Sequence, residues 1–231
     1  VVMIGMADSL QASDGSFLIA HLGADAGGVF RLGANGAVVP VLQEIDGRRL
    51  PPTNYVIEDA AGRLWITVST WLSPRALGYR ADVADGFVVV VDRGGARIVA
   101  DGLGYTNELA IDPSGRWLWV NETFGRRLSR FAIRDDGTLG PRQTVTTFGK
   151  GIFPDGLAFD AEGHAWVVSI VSNSIVRVAP DGAQSPVLED ADPAHVDWVE
   201  AAYLSGTMGR PHLDKAAGRV LRNISSIAFG G

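Results

Sequence analysis

Short apolar and β-branched runs alternate with polar, glycine-bearing turns along nearly the whole chain, which predicts strands joined by hairpins rather than helices. The pattern is clearest in Phe153-Pro-Asp-Gly-Leu-Ala-Phe-Asp-Ala-Glu-Gly-His-Ala-Trp-Val-Val168. Leu157 to Phe159 predict a strand, Asp160 to Gly163 a turn, and Ala165 to Val168 the returning strand. The unit recurs. Leu10 to Ile19, Val56 to Ile66 and Leu109 to Val120 repeat it, with turn glycines Gly15, Gly62, Gly115 and Gly163 spaced 47, 53 and 48 residues apart. A fifth copy begins at Ile227-Ala-Phe-Gly-Gly231. Repeats of this length made of short strands are the sequence signature of propeller blades.

Other runs fill in the blades. Ser16 to Ala20, Gly28 to Leu32, Val38 to Leu42, Leu128 to Ile133 and Ser174 to Val178 read as strands. Phe87 to Val91 is a continuous run, as expected of a strand buried on both sides. Trp71 to Ala84, with Pro74 and Gly78, predicts a loop over one face. One stretch breaks the pattern: Asp192 to Lys215 opens with Asp-Pro and carries Val196, Val199 and Tyr203 at helical spacing, until Gly206, Gly209 and Pro211 end it. It reads as a surface excursion rather than a lid or an oligomer contact. The expectation is an all-β, six-bladed β-propeller, a single domain over 1–231 with a helical or irregular insertion near 192–215. Because the first residue is Val and the last two interrupt a hairpin, the sequence is expected to be a piece lacking blade one and the end of blade six.

The repeat isolates one position. Eight residues before each turn glycine, where the first strand of each hairpin opens, stand Ala7, Asn54, Asn107 and Asp155. Ser225 takes the same offset in the fifth copy. Innermost strands of a propeller line its central channel, so these positions converge on one axis. A turn needs only a turn-compatible residue there. A ring of Asn, Asn, Asp and Ser supplies the oxygen ligands that hard divalent cations prefer.

Composition narrows the chemistry. A chain of 231 residues with 46% hydrophobic residues buries a sizeable core, and the 29 Gly fit many turns. The net charge of −6 argues against nucleic acid and anionic membranes as partners, and no apolar run reaches membrane-spanning length. The absence of Cys excludes disulfides, thiolate metal sites and a Cys nucleophile; it leaves the compartment open, with the cytoplasm mildly favoured. His21, His164, His195 and His212 share no ligand spacing and are expected at the surface. There is no Gly-x-Ser-x-Gly elbow. Glu122 is assigned a structural role.

Gly104-Tyr-Thr-Asn-Glu-Leu-Ala110, Val120 to Phe131 and Phe153 to Asp160 resemble the senescence-marker-protein/gluconolactonase (regucalcin-like) family of six-bladed propellers, and the resemblance covers nearly the whole chain. It implies one divalent metal ion, Ca²⁺ or Zn²⁺, at the channel mouth, held by a blade-one Glu, an Asn and an Asp. The Asn falls on Asn107 and the Asp on Asp155. A further Asn, which contacts substrate or the metal's water, falls on Asn54. Three departures stand out. The blade-one Glu has no counterpart, Pro52-Thr-Asn-Tyr55 replaces the family's Arg-x-Asn-Asp, and Glu108 follows Asn107 where Gly is usual. Glu108 adds charge near the metal or points into the blade. The implied activity is metal-dependent hydrolysis of a lactone or related ester, with Asp155 as catalytic base and metal ligand, Asn107 as metal ligand, and Asn54 and Ser225 on the substrate. Pro52 and Tyr55 predict an apolar rim and a preference for less hydroxylated substrates. The alternative is a non-catalytic propeller binding a small ligand or a protein partner.

Overall fold

The computed structural model describes residues 9–229 other than 13, 24, 25 and 217. Four four-stranded antiparallel sheets follow one another, each with its strands in sequence order. The first holds β1 (Ser9–Gln11), β2 (Phe17–Ala20), β3 (Val29–Leu32) and β4 (Val38–Leu42). A small hairpin, β5 (Glu44–Ile45) and β6 (Arg48–Arg49), leads to the second sheet, β7 (Thr53–Glu58), β8 (Leu64–Val68), β9 (Gly86–Asp92) and β10 (Gly95–Leu103). The third comprises β11 (Thr106–Ile111), β12 (Trp117–Glu122), β13 (Arg127–Ala132) and β14 (Gln143–Thr147). The fourth comprises β15 (Pro154–Phe159), β16 (Ala165–Ser169), β17 (Ser174–Val178) and β18 (Gln184–Glu189).

The hairpins recur for a local reason. Gly15, Gly62, Gly115 and Gly163 all have φ between 71° and 86°, a left-handed conformation that glycine adopts without penalty. In three copies the Asp opening the turn closes it as well, Asp112 accepting from Arg116 N at 3.1 Å, and in the other two it also holds a tryptophan. Asp59 accepts from Arg63 N at 2.9 Å and Trp65 Nε1 at 2.9 Å, and Asp160 accepts from His164 N at 2.8 Å and Trp166 Nε1 at 2.8 Å. Each tryptophan is thereby fixed by its own hairpin.

Apolar faces meet between consecutive sheets. Leu18 and Val29 pack with Val56, Ile66 and Phe87; Trp65, Val88 and Val90 with Leu109, Leu118 and Val120; Trp119 and Leu128 with Leu157, Val167 and Val176. Strand β11 is flanked by β7 and β15, so the first strands of successive sheets are neighbours. This face-to-face succession is propeller-like. Ala7, Gly230 and Gly231 lie outside the described residues. The fifth copy forms no paired strand over 223–229, yet it runs along β15. A Cβ on Gly156 would lie 2.6 Å from the Ser225 carbonyl oxygen and 2.7 Å from Ser226 Cα. Both contacts are backbone and cannot swing aside, so Gly156→Ala should cost about 1–3 kcal/mol by overpacking. Urea unfolding checks this, and an unchanged midpoint would show that the contact relaxes freely.

The insertion forms α1 (Pro193–Leu204) and α2 (Arg210–Asp214). Asp192 caps α1 by accepting from Ala194 N at 2.9 Å, and Pro193 needs no donor in the first turn. Arg126 pins α1 to the sheets through a forked pair with Glu200 at 3.0 and 2.6 Å, and its guanidinium lies over the Phe153 and Tyr203 rings. His195 departs from the surface position expected of it: it is buried, edge-on to Trp198. Among the described residues no helix is long and apolar enough to cross a membrane.

Candidate active site

Strands β7, β11 and β15 share one irregularity. Pairing with the next strand slips by one residue between Thr53 and Tyr55, between Thr106 and Leu109, and between Pro154 and Leu157. Such bulges re-aim a side chain away from the regular alternation. The residues inside them include Asn54, Asn107 and Asp155. All three line one cavity of about 470 Å³, and Ser225 lines it too. The structure therefore brings together all four residues that the repeat singled out within the described chain.

Hydroxyl groups at the ends of neighbouring strands orient the two amides. Asn54 Nδ2 donates to Ser69 Oγ at 3.1 Å, and Asn107 Nδ2 donates to Thr123 Oγ1 at 3.0 Å and also to Asp155 Oδ1. Thr123 in turn donates to the Pro154 carbonyl at 2.7 Å. Asn121 Nδ2 holds the backbone around the carboxylate, reaching the Asp155 and Gly156 carbonyls at 2.9 and 3.0 Å. Glu108 turns into the sheet interface: it is buried and accepts from Leu157 N at 2.8 Å, joining β11 to β15. Of the two roles open to Glu108 in the sequence, the geometry selects the second.

The rest of the wall was not visible in the repeat. Tyr79, Tyr105 and Phe124 stack or meet edge-on with ring centroids 4.6 to 5.3 Å apart. Tyr105, two residues before Asn107, holds a left-handed φ of 67°. Burial, together with the charge and hydrogen bond of Tyr79, pushes its phenol well above the usual tyrosine range, so it stays a neutral O–H donor. Arg75 reaches the cavity from the loop after β8, and Arg210, Leu213 and Asp214 reach it from α2. Two expectations change as a result. The insertion forms a wall of the cavity rather than a surface excursion. The rim is aromatic and charged rather than apolar, because Pro52 is buried and Tyr55 packs against the core around Trp65 and Leu109.

Two other carboxylate groups have structural work. Glu122 is fully buried and paired with Arg127 at 2.6 Å, on the second strand of its sheet. Asp160, Glu162 and His164 offer ligand atoms within 4.8 Å of one another at a hairpin tip. Asp160 is already occupied there by the turn bonds described above, which Asp59 repeats without a histidine.

Face-to-face sheets whose first strands open on one polar cavity define a propeller-like protein. The chain belongs to the SMP-30/gluconolactonase/LRE-like family, whose model matches residues 5–189. Over 127 residues it is 32% identical to 6-deoxy-6-sulfogluconolactonase of Pseudomonas putida, covering 54% of this chain and 41% of that protein. Over 169 residues it is 26% identical to lactonase drp35 of Staphylococcus aureus, covering 67% and 47%. The chain thus spans less than half the length of these curated relatives. Among solved structures, a gluconolactonase from Xanthomonas campestris superposes with a TM-score of 0.65 at 23% identity, covering 79% of this chain and 62% of that one. Regucalcin from Agrobacterium tumefaciens, described as a calcium-binding protein, superposes with a TM-score of 0.61 at 24% identity, covering 82% and 61%. At these identities the structural likeness establishes the fold.

Proposed function

We propose that this chain belongs to a six-bladed propeller hydrolase that opens a lactone or related ester in the cavity bounded by Asn54, Asn107, Asp155 and Ser225. The observation that carries this reading is the shared bulge, which sets two amides and a carboxylate from three successive sheets on one cavity in a family with lactonase members.

The donor set fits a divalent cation. Asn54 and Asn107 direct their NH₂ groups to Ser69 and Thr123, which leaves each Oδ1 as the acceptor for the cavity. With the Asp155 carboxylate these are hard oxygen donors, and no His lines the cavity, which favours Ca²⁺ over Zn²⁺. Asn107 and Asp155 would hold the ion. When bound, it supplies electrophilic stabilisation of charge on a carbonyl oxygen. Asn54 and Ser225 orient the lactone. Asp155 takes a proton from water as the water oxygen bonds to the carbonyl carbon, then returns it to the ring oxygen as the C–O bond breaks.

The test is a panel of lactones and esters given to full-length protein, before and after chelation and with Ca²⁺ restored. Hydrolysis of a lactone that is lost on chelation and recovered with Ca²⁺ is expected. Failure of the metal-replete protein to hydrolyse any member would sink the hydrolase reading. Full activity after exhaustive chelation would remove the metal from it.

A further inference from the structure

Two guanidinium groups share the cavity with the acidic and amide groups, and the reaction described above uses neither. Arg75 is partly buried and, among the described residues, has no carboxylate within ion-pair distance. Arg210 pairs with Asp214 through Nη2 at 2.5 Å, both side chains being exposed on their outer side, and lines the cavity beside Tyr79 and Tyr105. Tyr79, 1% exposed, forms the aromatic floor between the two arginines' shared cavity and Tyr105. A guanidinium has five donors, and the pair with Asp214 leaves others of this cavity-lining arginine free to bond a ligand. Taking Arg75 partly out of water without a partner costs solvation that a bound anion would restore. Arg75, Arg210 and Asp155 line the same cavity of about 470 Å³, which sets the basic and acidic groups within reach of one small molecule.

We propose that the substrate is an anionic lactone, with its carbonyl at Asn54, Asn107 and Asp155 and a second oxyanion held by Arg75 and Arg210. This rests on the lactone-hydrolase reading. The oxyanion is a carboxylate, sulfonate or phosphate, since the planar guanidinium fork matches all three. The site's design explains why an insertion between the fourth sheet and the fifth copy folds back over the cavity: it delivers Arg210. The loop after β8, anchored by Trp71 on Phe87 and by Tyr79 on Phe124, carries Arg75 to the same wall.

The experiment compares an aldonolactone with the same lactone bearing a terminal carboxylate, sulfonate or phosphate, in full-length parent, Arg75→Gln and Arg210→Gln proteins. In the parent, kcat/KM should be about tenfold to a hundredfold higher for an anionic member, carried mainly by KM, as charge-assisted hydrogen bonds predict. The preference should shrink as salt rises. In Arg75→Gln the ratio of anionic to neutral substrate should fall toward one. The three anions, run separately, show which oxyanion the site selects. A second measurement needs no turnover: calorimetric binding of glucose, glucuronate, glucose 6-sulfate and glucose 6-phosphate to the parent and to Arg75→Gln. Tighter binding of an anion in the parent, lost in Arg75→Gln, supports the site. Should Arg210→Gln melt early, Arg75→Gln decides alone. Equal kcat/KM for neutral and anionic lactones, or a preference untouched by Arg75→Gln, overturns the anion site and leaves the hydrolase reading standing. Anion binding that depends on Arg75, with no lactone hydrolysed, upholds the site and sinks the hydrolase.

Discussion

Asp155→Asn should reduce lactone hydrolysis by about a hundredfold or more, the range that removal of a general base produces. Asp155 is the only carboxylate at the strand-opening positions Asn54, Asn107, Asp155 and Ser225, so no neighbour of the same kind replaces it. The substitution keeps the size of the side chain and its ability to meet Asn107. It leaves intact the bonds that hold this corner of β15, because Asn121 and Thr123 grip main-chain carbonyls of residues 154–156 rather than the carboxylate. Stability should therefore change by no more than about 0.5 kcal/mol, as for substitutions outside the core packing. Affinity for a divalent cation should fall in parallel, since a hard ion depends on a charged oxygen more than on amide oxygens. Hydrolysis rate, cation affinity and melting temperature of the full-length variant separate these effects. A variant with parental rate and a parental melting curve would mean that the reaction centre lies elsewhere.

The position of Asp155 was legible in the sequence because it repeats. A glycine with positive φ at each hairpin fixes the register of the count, so Asn54, Asn107 and Asp155 fall out at one offset without any knowledge of the fold. The strands were legible for the same reason: Val38–Leu42 and Ser174–Val178 have the bounds that their apolar runs predicted. The bulges that turn the three side chains inward were not legible, because a bulge is a relation between two strands and not a property of one. Neither was the basic and aromatic wall. Arg75 and Arg210 are 135 residues apart, carry no shared offset, and meet only because one loop and one insertion fold over the same sheet edges. Reading Tyr55 as a rim residue failed because its ring is taken up by the core between the second and third sheets, around Trp65 and Leu109, a contact that no single strand reveals. Glu108 shows the same limit, since its acceptor role requires the Leu157 N–H of the next sheet.

Glu122→Gln should destabilise the protein by about 3 kcal/mol, near the lower end of what breaking a buried ion pair costs. Each oxygen of this fully buried carboxylate takes two donors. Oε1 accepts from Ser129 Oγ at 2.5 Å and Arg127 Nε at 2.7 Å; Oε2 accepts from Gly104 N at 2.6 Å and Arg127 Nη2 at 2.6 Å. A glutamine keeps one acceptor oxygen and turns its NH₂ toward the other two donors, leaving them unmatched beside a fully buried side chain. The corner at stake is functional. Gly104 packs so closely on Gly125 that a Cβ would lie 2.7 Å from its Cα, and Tyr105 and Asn107 follow directly. Loosening Gly104 should therefore also slow turnover. Acid gives an independent check. Burial alone would raise the Glu122 pKa, but Arg127 and the Gly104 and Ser129 donors outweigh it and hold the carboxyl below the usual range. A lowered folded-state pKa contributes stability that is complete above the unfolded value of about 4.3 and drains as pH falls through the folded value. The gap between parent and variant in urea unfolding should thus be widest at neutral pH and narrow only in acid. A gap under about 1 kcal/mol at pH 7, the worth of an exposed pair, or one that widens in acid, would show that the carboxylate is not what holds this corner.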